Sequence, residues 1–420
     1  MTQGTTKPRH PGFDSKFYAV QDFYGLRAAS LTNAIHPLFR RSNFQSSLFD
    51  YEKLETTLRL ASNLLEVALP VFHCIFFSPP VPFADEGEGR DSGFFPRPLD
   101  VLTTRQVKRT RAALAEFTGN ILFGIADIEG CHANCEYYDS PDKQIRGCKY
   151  LKGYRSQINI GQPLYEQVLA AWEHPNDILG HHWHSFQLAV TLVHEVTHAG
   201  VAAGTPEVFQ YDGFILGDCS RSEPGLALEE WLFGGTFSAS PSNRPRYRLD
   251  GIPSKLDSLI AYTEGPDPAA LTAYQHAGDK IYVRPGSLPE VVVKWTADLE
   301  FISNLFQDAF WNEETRKPRR KALRPRMTIG VRMSLDLGQK CFVPFPPIGV
   351  VDNVTAMPEG YSLDECGMLY ATQPGSQSIL QAAETTTSPR PARSTSNRLG
   401  RWFKRARQVP LTPPRRRMKA

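Results

Sequence analysis

Two histidines and one glutamate in the middle of the chain have the residue types and spacing of a metal-dependent hydrolytic centre. His194, Glu195 and His198 form an HExxH pattern within Phe186–Gly200, FQLAVTLVHEVTHAG. This segment has no proline, and its apolar residues recur at helical spacing, which predicts a helix. Residues i and i+4 share one face of a helix, so both imidazoles can reach one zinc ion, Zn²⁺. The alternative is a helix with two solvated histidines, which the apolar neighbours argue against.

The glutamate within this pattern has a different expected role from the two histidines. Glu195 lies one position beyond the first histidine, where its carboxylate can reach a water molecule bound to the metal. Zinc lowers the pKa of bound water to about 7 and polarises a scissile carbonyl. We therefore expect Glu195 to be the catalytic general base, which takes the water proton and passes it to the leaving group.

A third metal ligand is required, and the segment SEPGLALEEWLFGG supplies three candidate glutamates, Glu223, Glu229 and Glu230. On a helix at 100° per residue, Glu229 falls on the apolar face, where a carboxylate needs a cationic partner. Glu230 falls on the opposite face and is expected to be solvated. We rank Glu229 first, and Glu223 as the alternative ligand or as a residue that orients a ligand histidine. Gly225 would let a neighbouring helix approach closely.

HEVTHA followed by EPGLALEEWLFGG resembles a largely uncharacterised family of fungal zincin-like, metallopeptidase-like proteins. The resemblance covers about residues 155–315 and rests on HExxHA, ExGxxxE and a Phe-Gly-Gly ending. It implies a zincin-like fold with a glutamate third ligand, but it does not choose between the two glutamates. Zincins place an edge strand before the HExxH helix, which would be Ile158–Ile160 here. They also add a Tyr or His that stabilises the oxyanion, and the open candidates are Tyr211, Tyr247 and Tyr262.

A second, structural metal site is a weaker possibility raised by the cysteines. Cys131, His132, Cys135 and Cys148 have a spacing that a Cys₃His zinc site could use. One short cluster without a second CxxC favours the alternative of free thiols in an irregular insertion. The odd total of seven cysteines is not typical of a disulfide framework.

Several elements must surround the motif. Helical spacing predicts helices over 51–68 and 105–117, the latter capped by Thr103 or Thr104. Residues 156–160 alternate as a strand does, and 78–98 is rich in proline and glycine and is predicted to be a loop. Residues 297–311 are predicted to be helix-rich, and 338–360 to be strand and loop. The expected fold class is α+β, a helix-rich zincin-like domain with a small sheet.

The ends of the chain differ in composition from its body. Residues 1–14 are predicted to be a disordered N-terminus, 15–372 the metallohydrolase domain and 373–420 a disordered tail rich in Ser, Pro and Arg. Of the 47 Lys and Arg residues, 11 lie from Arg390 onward, without any Asp or Glu. The remaining 36 basic and 44 acidic residues give the body a net charge of −8. The tail could therefore bind nucleic acid or an acidic partner.

Two functions from different classes are compatible with these features. The first is a zinc-dependent peptidase that acts on a peptide or protein substrate. The second is a catalytically inactive zincin-like scaffold that binds a protein or nucleic-acid partner. An intact Glu195 favours the enzyme, because a binding module has no use for a general base. The sequence has no apolar run that spans a bilayer and no secretory signal, so we expect an intracellular protein, cytoplasmic or nuclear.

Overall fold

The structure is a computed structural model, and it describes the chain in segments that all belong to one unit ending at Ala371. It combines helices with several small sheets and is therefore an α+β fold, as predicted. The predicted N-terminus 1–14 and tail 373–420 lie outside the described residues. These are 27–45, 48–83, 92–128, 132–137, 140–174, 176–211, 213–217, 219, 222–240, 259–264, 291–296, 299–314, 319–325, 329–336, 341–344, 350–352, 361–363 and 369–371.

Seven α-helices lie within these segments, and the predicted helices are among them. Thr103 caps α3 through a capping box with Gln106, so the predicted start of that helix is confirmed. Of the residues described within 297–311, Leu299–Asn304 form a short helix and a π-helix at Phe310–Glu314 begins at the end of the range, so helix predominates there, as predicted. The helices are α1 Glu55–Val67, α2 Leu69–Phe77, α3 Thr104–Phe117, α4 Gln162–Trp172, α5 Ile178–Gly204, α6 Pro224–Phe233 and α7 Leu299–Asn304.

Helix α5 carries the HExxH pattern through the middle of the core. Its 27 residues span about 40 Å at 1.5 Å per residue. The helix begins eight residues before the predicted start at Phe186, because the Asp177 side chain accepts a hydrogen bond from the Gly180 N–H and caps it. Helices α1, α2, α4 and α6 all pack against α5. The α5 backbone around the histidines is therefore held on several sides.

A three-stranded sheet lies beside α5 and carries the predicted strand. It consists of β3 (Ile121–Ala126), β4 (Ala133–Tyr137) and β5 (Ser156–Gly161), in the order β3-β5-β4. The prediction of a strand at 156–160 is confirmed, but its expected place at a sheet edge is wrong. β5 is central, paired in parallel with β3 and antiparallel with β4. The edge strand that packs on α5 is β4.

A second small sheet forms where a loop was expected. Within 78–98, Val81–Phe83 (β1) and Ser92–Phe95 (β2) pair as antiparallel strands. β2 also pairs in parallel with Phe214–Leu216 (β6), which precedes α6. Pro82 lies within β1 and Gly93 within β2, where the two residues pair, so the loop prediction is wrong for these strands. The pairing of β2 with β6 therefore places residues 92–95 near the segment that leads into α6.

Six of the remaining strands form a sheet larger than the small one predicted. Six strands have the order β11-β10-β9-β8-β7, with β12 also paired to β10. β11 and β12 lie within 338–360, so strand is confirmed for those residues. Two further strands, β13 and β14, form a separate hairpin. The bounds are β7 Gly235–Ser240, β8 Leu259–Glu264, β9 Val291–Thr296, β10 Ile329–Asp336, β11 Cys341–Pro344, β12 Val350–Asp352, β13 Tyr361–Leu363 and β14 Leu369–Ala371.

In the part of the chain that the structure describes, no single helix has both the length and the apolar composition needed to cross a membrane. The one combination that does is the pair Tyr51–Val67 and Leu69–Phe77, which is bent by 61°.

Candidate metal centre

The two histidines of the HExxH pattern lie one turn apart on α5, as predicted. The His194 and His198 ring centroids are 5.2 Å apart. Leu192, Val193 and Val196 are completely or almost completely buried, so the apolar stripe fixes which face of the helix the histidines occupy. Both imidazoles therefore reach the same point beside the helix, and neither is fully solvated: their side chains are 12% and 26% exposed.

The residue just before helix α6 supplies a carboxylate to this point. Glu223 is the N-cap, and one of its oxygens accepts a hydrogen bond from the Leu226 N–H. Its other oxygen, Oε1, lies 3.2 Å from His194 Nε2 and within hydrogen-bonding distance of His198 Nε2. One donor atom from each of the three residues lies within 4.8 Å of the others. Two imidazole nitrogens and a carboxylate oxygen thus form a group that could hold a metal ion.

The second glutamate, Glu229, contacts the opposite side of the His194 ring from Glu223. Glu229 Oε1 lies 2.7 Å from His194 Nδ1, the ring nitrogen that faces away from Glu223. Among the described residues, the group of converging donors includes Glu223 and does not include Glu229. The convergence of donors thus favours Glu223 over Glu229, the opposite of the order in which the sequence ranked these two carboxylates. Glu229 does lie on the inner face of α6, and the cation it pairs with is the His194 ring.

The reversal has a local cause at the start of α6. A helical wheel assigns directions only to residues inside a helix, and Glu223 precedes it with extended backbone angles of φ −141° and ψ 99°. From that position its side chain turns back over the first turn and toward α5. Glu230, on the same helix, is half-buried, and the Cys219 thiol lies 3.7 Å from its Oε2. Glu230 was expected to be solvated, and that is only partly the case.

Close approach of the two helices depends on Gly225. A Cβ atom built at this position would lie 2.5 Å from His194 Cγ and closer still to two other ring atoms. No carbon pair tolerates such a distance. The prediction that this glycine permits a neighbouring helix to come close is confirmed, and the group it admits is the His194 imidazole.

Glu195 lies beside the converging donors without joining them. Its residue is only 7% exposed, and its Oε1 is 3.9 Å from His194 Nε2. Burial raises the pKa of this carboxyl, which the two histidines oppose and Glu223 and Glu229 reinforce. A carboxylate with a raised pKa accepts and releases a proton more readily near neutral pH, as a general base must.

The histidines and glutamates of the centre shift each other's pKa values. Burial alone would lower the pKa of His194, but the Glu223 and Glu229 carboxylates raise it well above its usual value. Burial alone would raise the pKa of Glu223, but His194 and His198 hold it well below its usual value. The carboxylates thus favour the positively charged form of His194, and the two histidines favour the negatively charged form of Glu223.

The possible Cys₃His zinc site is only partly within the described residues, since Cys131 lies outside them. Cys135 and Cys148 are free cysteines, and the Asn120 amide lies 3.8 Å from Cys148 Sγ. In the segments described, His132, Cys135 and Cys148 form no group of converging donors.

Two of these residues, His132 just before β4 and Cys135 on it, instead lie near the candidate metal centre. Loss of hydration lowers the pKa of His132, while Glu229 opposes this shift and His194 adds to it. Burial raises the pKa of the Cys135 thiol well above its usual value, and Glu195 adds to that. Sequence reasoning missed this proximity, because no periodicity connects β4 to α5. The one available signal was that His132 and Cys135, two residue types that bind metals, lie close together in the sequence before the HExxH motif.

The tyrosines considered for stabilising an oxyanion are less informative. The Tyr211 ring packs against Phe214, with centroids 5.4 Å apart. Tyr247 lies outside the described residues, and only the backbone of Tyr262 is described. The oxyanion-stabilising role of one of these tyrosines therefore stays a prediction.

Comparisons with known proteins place no relative beside this chain. No protein-family model matches the sequence, and neither a curated protein nor a solved structure matches it. Its site must therefore be interpreted from its own geometry.

Proposed function

We propose that the protein is a zinc-dependent peptidase whose metal is held by His194, His198 and Glu223. The single observation that carries this proposal is the convergence of those three donors beside Glu195. Two imidazoles and one carboxylate are the ligand set of known catalytic zinc sites, which leave the fourth position for water or substrate. Structural zinc sites, in contrast, fill all four positions with protein ligands. The donor set thus favours a catalytic role.

The residues around the ligands complete the chemistry that such a site needs. A bound zinc ion would supply Lewis acidity and lower the pKa of a water molecule. Glu229 accepts a hydrogen bond from His194 Nδ1–H, which leaves Nε2 free to bind the metal and fixes the ring orientation. Glu195 receives the proton released by the attacking water and returns it to the leaving group.

The edge of the sheet next to α5 supports a peptide as the substrate. β4 pairs with β5 on one side, and no other described strand pairs with it. β4 packs against α5, and Glu195 contributes to the raised pKa of the Cys135 thiol on β4. This edge therefore lies close to the proposed base. An extended peptide could add to such an edge through main-chain hydrogen bonds.

A catalytically inactive scaffold is the competing function. It would need the metal ligands to hold the fold but would have no need of Glu195. A carboxylate that is 7% exposed and not among the ligands is costly to maintain for no purpose. Its burial beside the donors therefore favours the peptidase.

The test separates metal binding from catalysis in the full-length protein. Metal content is measured by plasma mass spectrometry, and hydrolysis with a library of quenched fluorescent peptides. Glu195→Gln should retain zinc and lose hydrolysis by about 10²-fold or more, because the residue moves a proton. The double variant His194→Ala/His198→Ala should lose both. Glu230→Gln, on α6 but outside the donor group, is the matched control and should retain both.

Two results would contradict the proposal. Equal zinc content in the double-histidine variant and the wild type would place the metal elsewhere. Zinc at these ligands with no hydrolysis of any peptide pool, and no difference between wild type and Glu195→Gln, would favour the scaffold.

A further inference from the structure

A cationic loop lies outside the metal centre, in residues 143–155. The Lys143 carbonyl accepts a hydrogen bond from the Arg155 N–H, and the Gly153 carbonyl accepts one from Ile145. These bonds, with the bridge between Gln144 and Tyr154, make the segment a hairpin-like loop. Ile145, Leu151 and Gly153 are buried and anchor it. The basic residues recur at every third position and are all exposed: Lys143, Arg146, Lys149, Lys152 and Arg155.

The tip of this loop is fastened to the end of α3. The two carboxylate oxygens of Glu116 accept hydrogen bonds from the Lys149 and Tyr150 N–H groups, at 3.0 and 2.8 Å. This carboxylate is thus occupied by the loop backbone, and it reduces the positive charge of the tip only in part. The cations of the loop are held in a fixed position relative to α3.

Helix α3 continues the same basic surface. Arg105, Lys108 and Arg109 are exposed and lie within one stripe of the helix, at positions i, i+3 and i+4. None of the three has an acidic partner within the described residues, whereas Arg111 on a neighbouring stripe pairs with Glu66. From Arg105 to Glu116 the stripe runs about 16 Å at 1.5 Å per residue. We call the stripe and the loop tip together the α3–loop surface: Arg105, Lys108, Arg109, Arg146, Lys149 and Lys152.

The guanidinium of one arginine on this surface lies over an aromatic ring. The Arg109 guanidinium carbon lies 3.8 Å from the Phe77 ring centroid and 5.8 Å from that of Tyr150. Lys149 approaches the same Tyr150 ring, with its Nζ 5.0 Å from the centroid. Phe77 therefore supports one face of the planar guanidinium. Arg109 is exposed, so its outer face is available for a planar group to stack on.

We propose that the α3–loop surface binds single-stranded nucleic acid, independently of the proposed peptidase activity. The six cations form no ion pair with described residues, although Arg146 and Lys152 donate hydrogen bonds to the Pro141 and Cys148 carbonyls. Lysines and arginines along one track can neutralise successive phosphates. A supported guanidinium plane offers a stacking platform for an unpaired base, which a base inside a duplex could not use. The body carries a net charge of −8 outside the basic C-terminal residues, so this basic track is a local feature that the overall charge does not explain.

The test uses fluorescence anisotropy with the full chain and two labelled 20-mers, one of RNA and one of single-stranded DNA. A variant with Arg146, Lys149 and Lys152 changed to Gln should weaken binding and reduce the slope of log affinity against log salt by about 2, at about 0.7 per phosphate contact. The control changes Arg41, Lys53 and Arg59 to Gln, which alters net charge equally. Those three cations are already paired with Glu52, Asp50 and Glu55, so this control should leave the slope unchanged.

Two further measurements separate stacking from charge and this surface from the basic tail. Arg109→Lys keeps the charge but removes the planar group, and should weaken binding about fivefold or more, as expected for loss of one stacked base. Photo-cross-linking followed by peptide mapping should place the nucleic acid on residues 143–155. Circular dichroism verifies that each variant is folded.

Several outcomes would overturn the proposal. Cross-links confined to residues 390–420, or an equal loss in the loop variant and the charge control, would assign binding to general charge or the tail. Because Leu99 and Val101 are exposed just before α3, vesicles of phosphatidylcholine and phosphatidylserine form the second arm. If the loop variant lost vesicle binding and kept oligonucleotide binding, the surface would be a membrane contact instead.

Discussion

Replacing Gly225 by alanine should abolish zinc binding at the proposed centre while leaving the fold nearly unchanged. The added Cβ would lie 2.5 Å from His194 Cγ, whereas carbon atoms in contact are about 3.5–4.0 Å apart. Relief of this overlap requires a movement of about 1 Å. The imidazole cannot simply rotate, because Glu229 holds its Nδ1 at 2.7 Å and Glu223 lies at 3.2 Å from its Nε2.

Either way of relieving the overlap separates the ligands. If the His194 ring retreats, it leaves the position that Glu223 and His198 share. If α6 retreats instead, it carries away Glu223, which lies only two residues before Gly225. Metal sites tolerate deviations of about 0.2 Å in ligand distance, so a movement of about 1 Å is several times too large. We expect at least a 100-fold loss of zinc affinity, since losing an outer-shell partner alone costs about 10- to 100-fold.

Overall stability should change much less than metal affinity. Alanine stabilises a helical position by about 0.5–1 kcal/mol relative to glycine. Overpacking opposes this gain with a cost of about 1–3 kcal/mol. The metal-free variant should therefore be between unchanged and about 2.5 kcal/mol less stable.

Zinc affinity can be measured by competition with a chromophoric chelator, and stability by urea unfolding of the metal-free proteins. Gly119→Ala is the matched control, because a Cβ at that position meets nothing within 4 Å. It should bind zinc as the wild type does. Wild-type zinc affinity in a folded Gly225→Ala protein would refute the reasoning, since it would show that His194 does not bind the metal from beside α6.

Two other predictions follow from the same centre. Glu223→Gln should remove most of the bound zinc, whereas Glu229→Gln should weaken zinc binding by about 10- to 100-fold, as expected for a partner that orients a ligand. Metal titration of both variants checks this prediction. The opposite order of zinc affinities would make Glu229 the third ligand. In the metal-free protein, the raised pKa of His194 contributes stability that is fully present below its usual value and is lost as pH rises through the raised value. The lowered pKa of Glu223 contributes stability that is present above its usual value and is lost as pH falls through the lowered one. Thermal melting against pH should therefore decline on both sides of a plateau, and His194→Gln should remove the decline on the alkaline side.

The sequence alone determined those parts of the centre that depend on one helix. An apolar stripe free of proline is sufficient to predict α5, and the spacing of His194 and His198 then places both rings on one face. The start of α3 was also predictable, because the Thr103 capping box involves only neighbouring residues. In each case the interacting groups are within one or two turns of chain.

Only the tertiary structure decided how other elements meet that helix. Glu223 and Glu229 are both close to His194, but one faces Nε2 and the other Nδ1, and no periodicity distinguishes the two nitrogens. The choice depends on the extended backbone of the N-cap and on the close packing of α6 that Gly225 permits. In the same way, β5 was recognised as a strand, but its central position depends on β3 and β4 pairing with it from either side. Both of those strands are distant from β5 in sequence. Local patterns predict which side chains share a face, whereas packing between elements selects which atoms come within bonding distance.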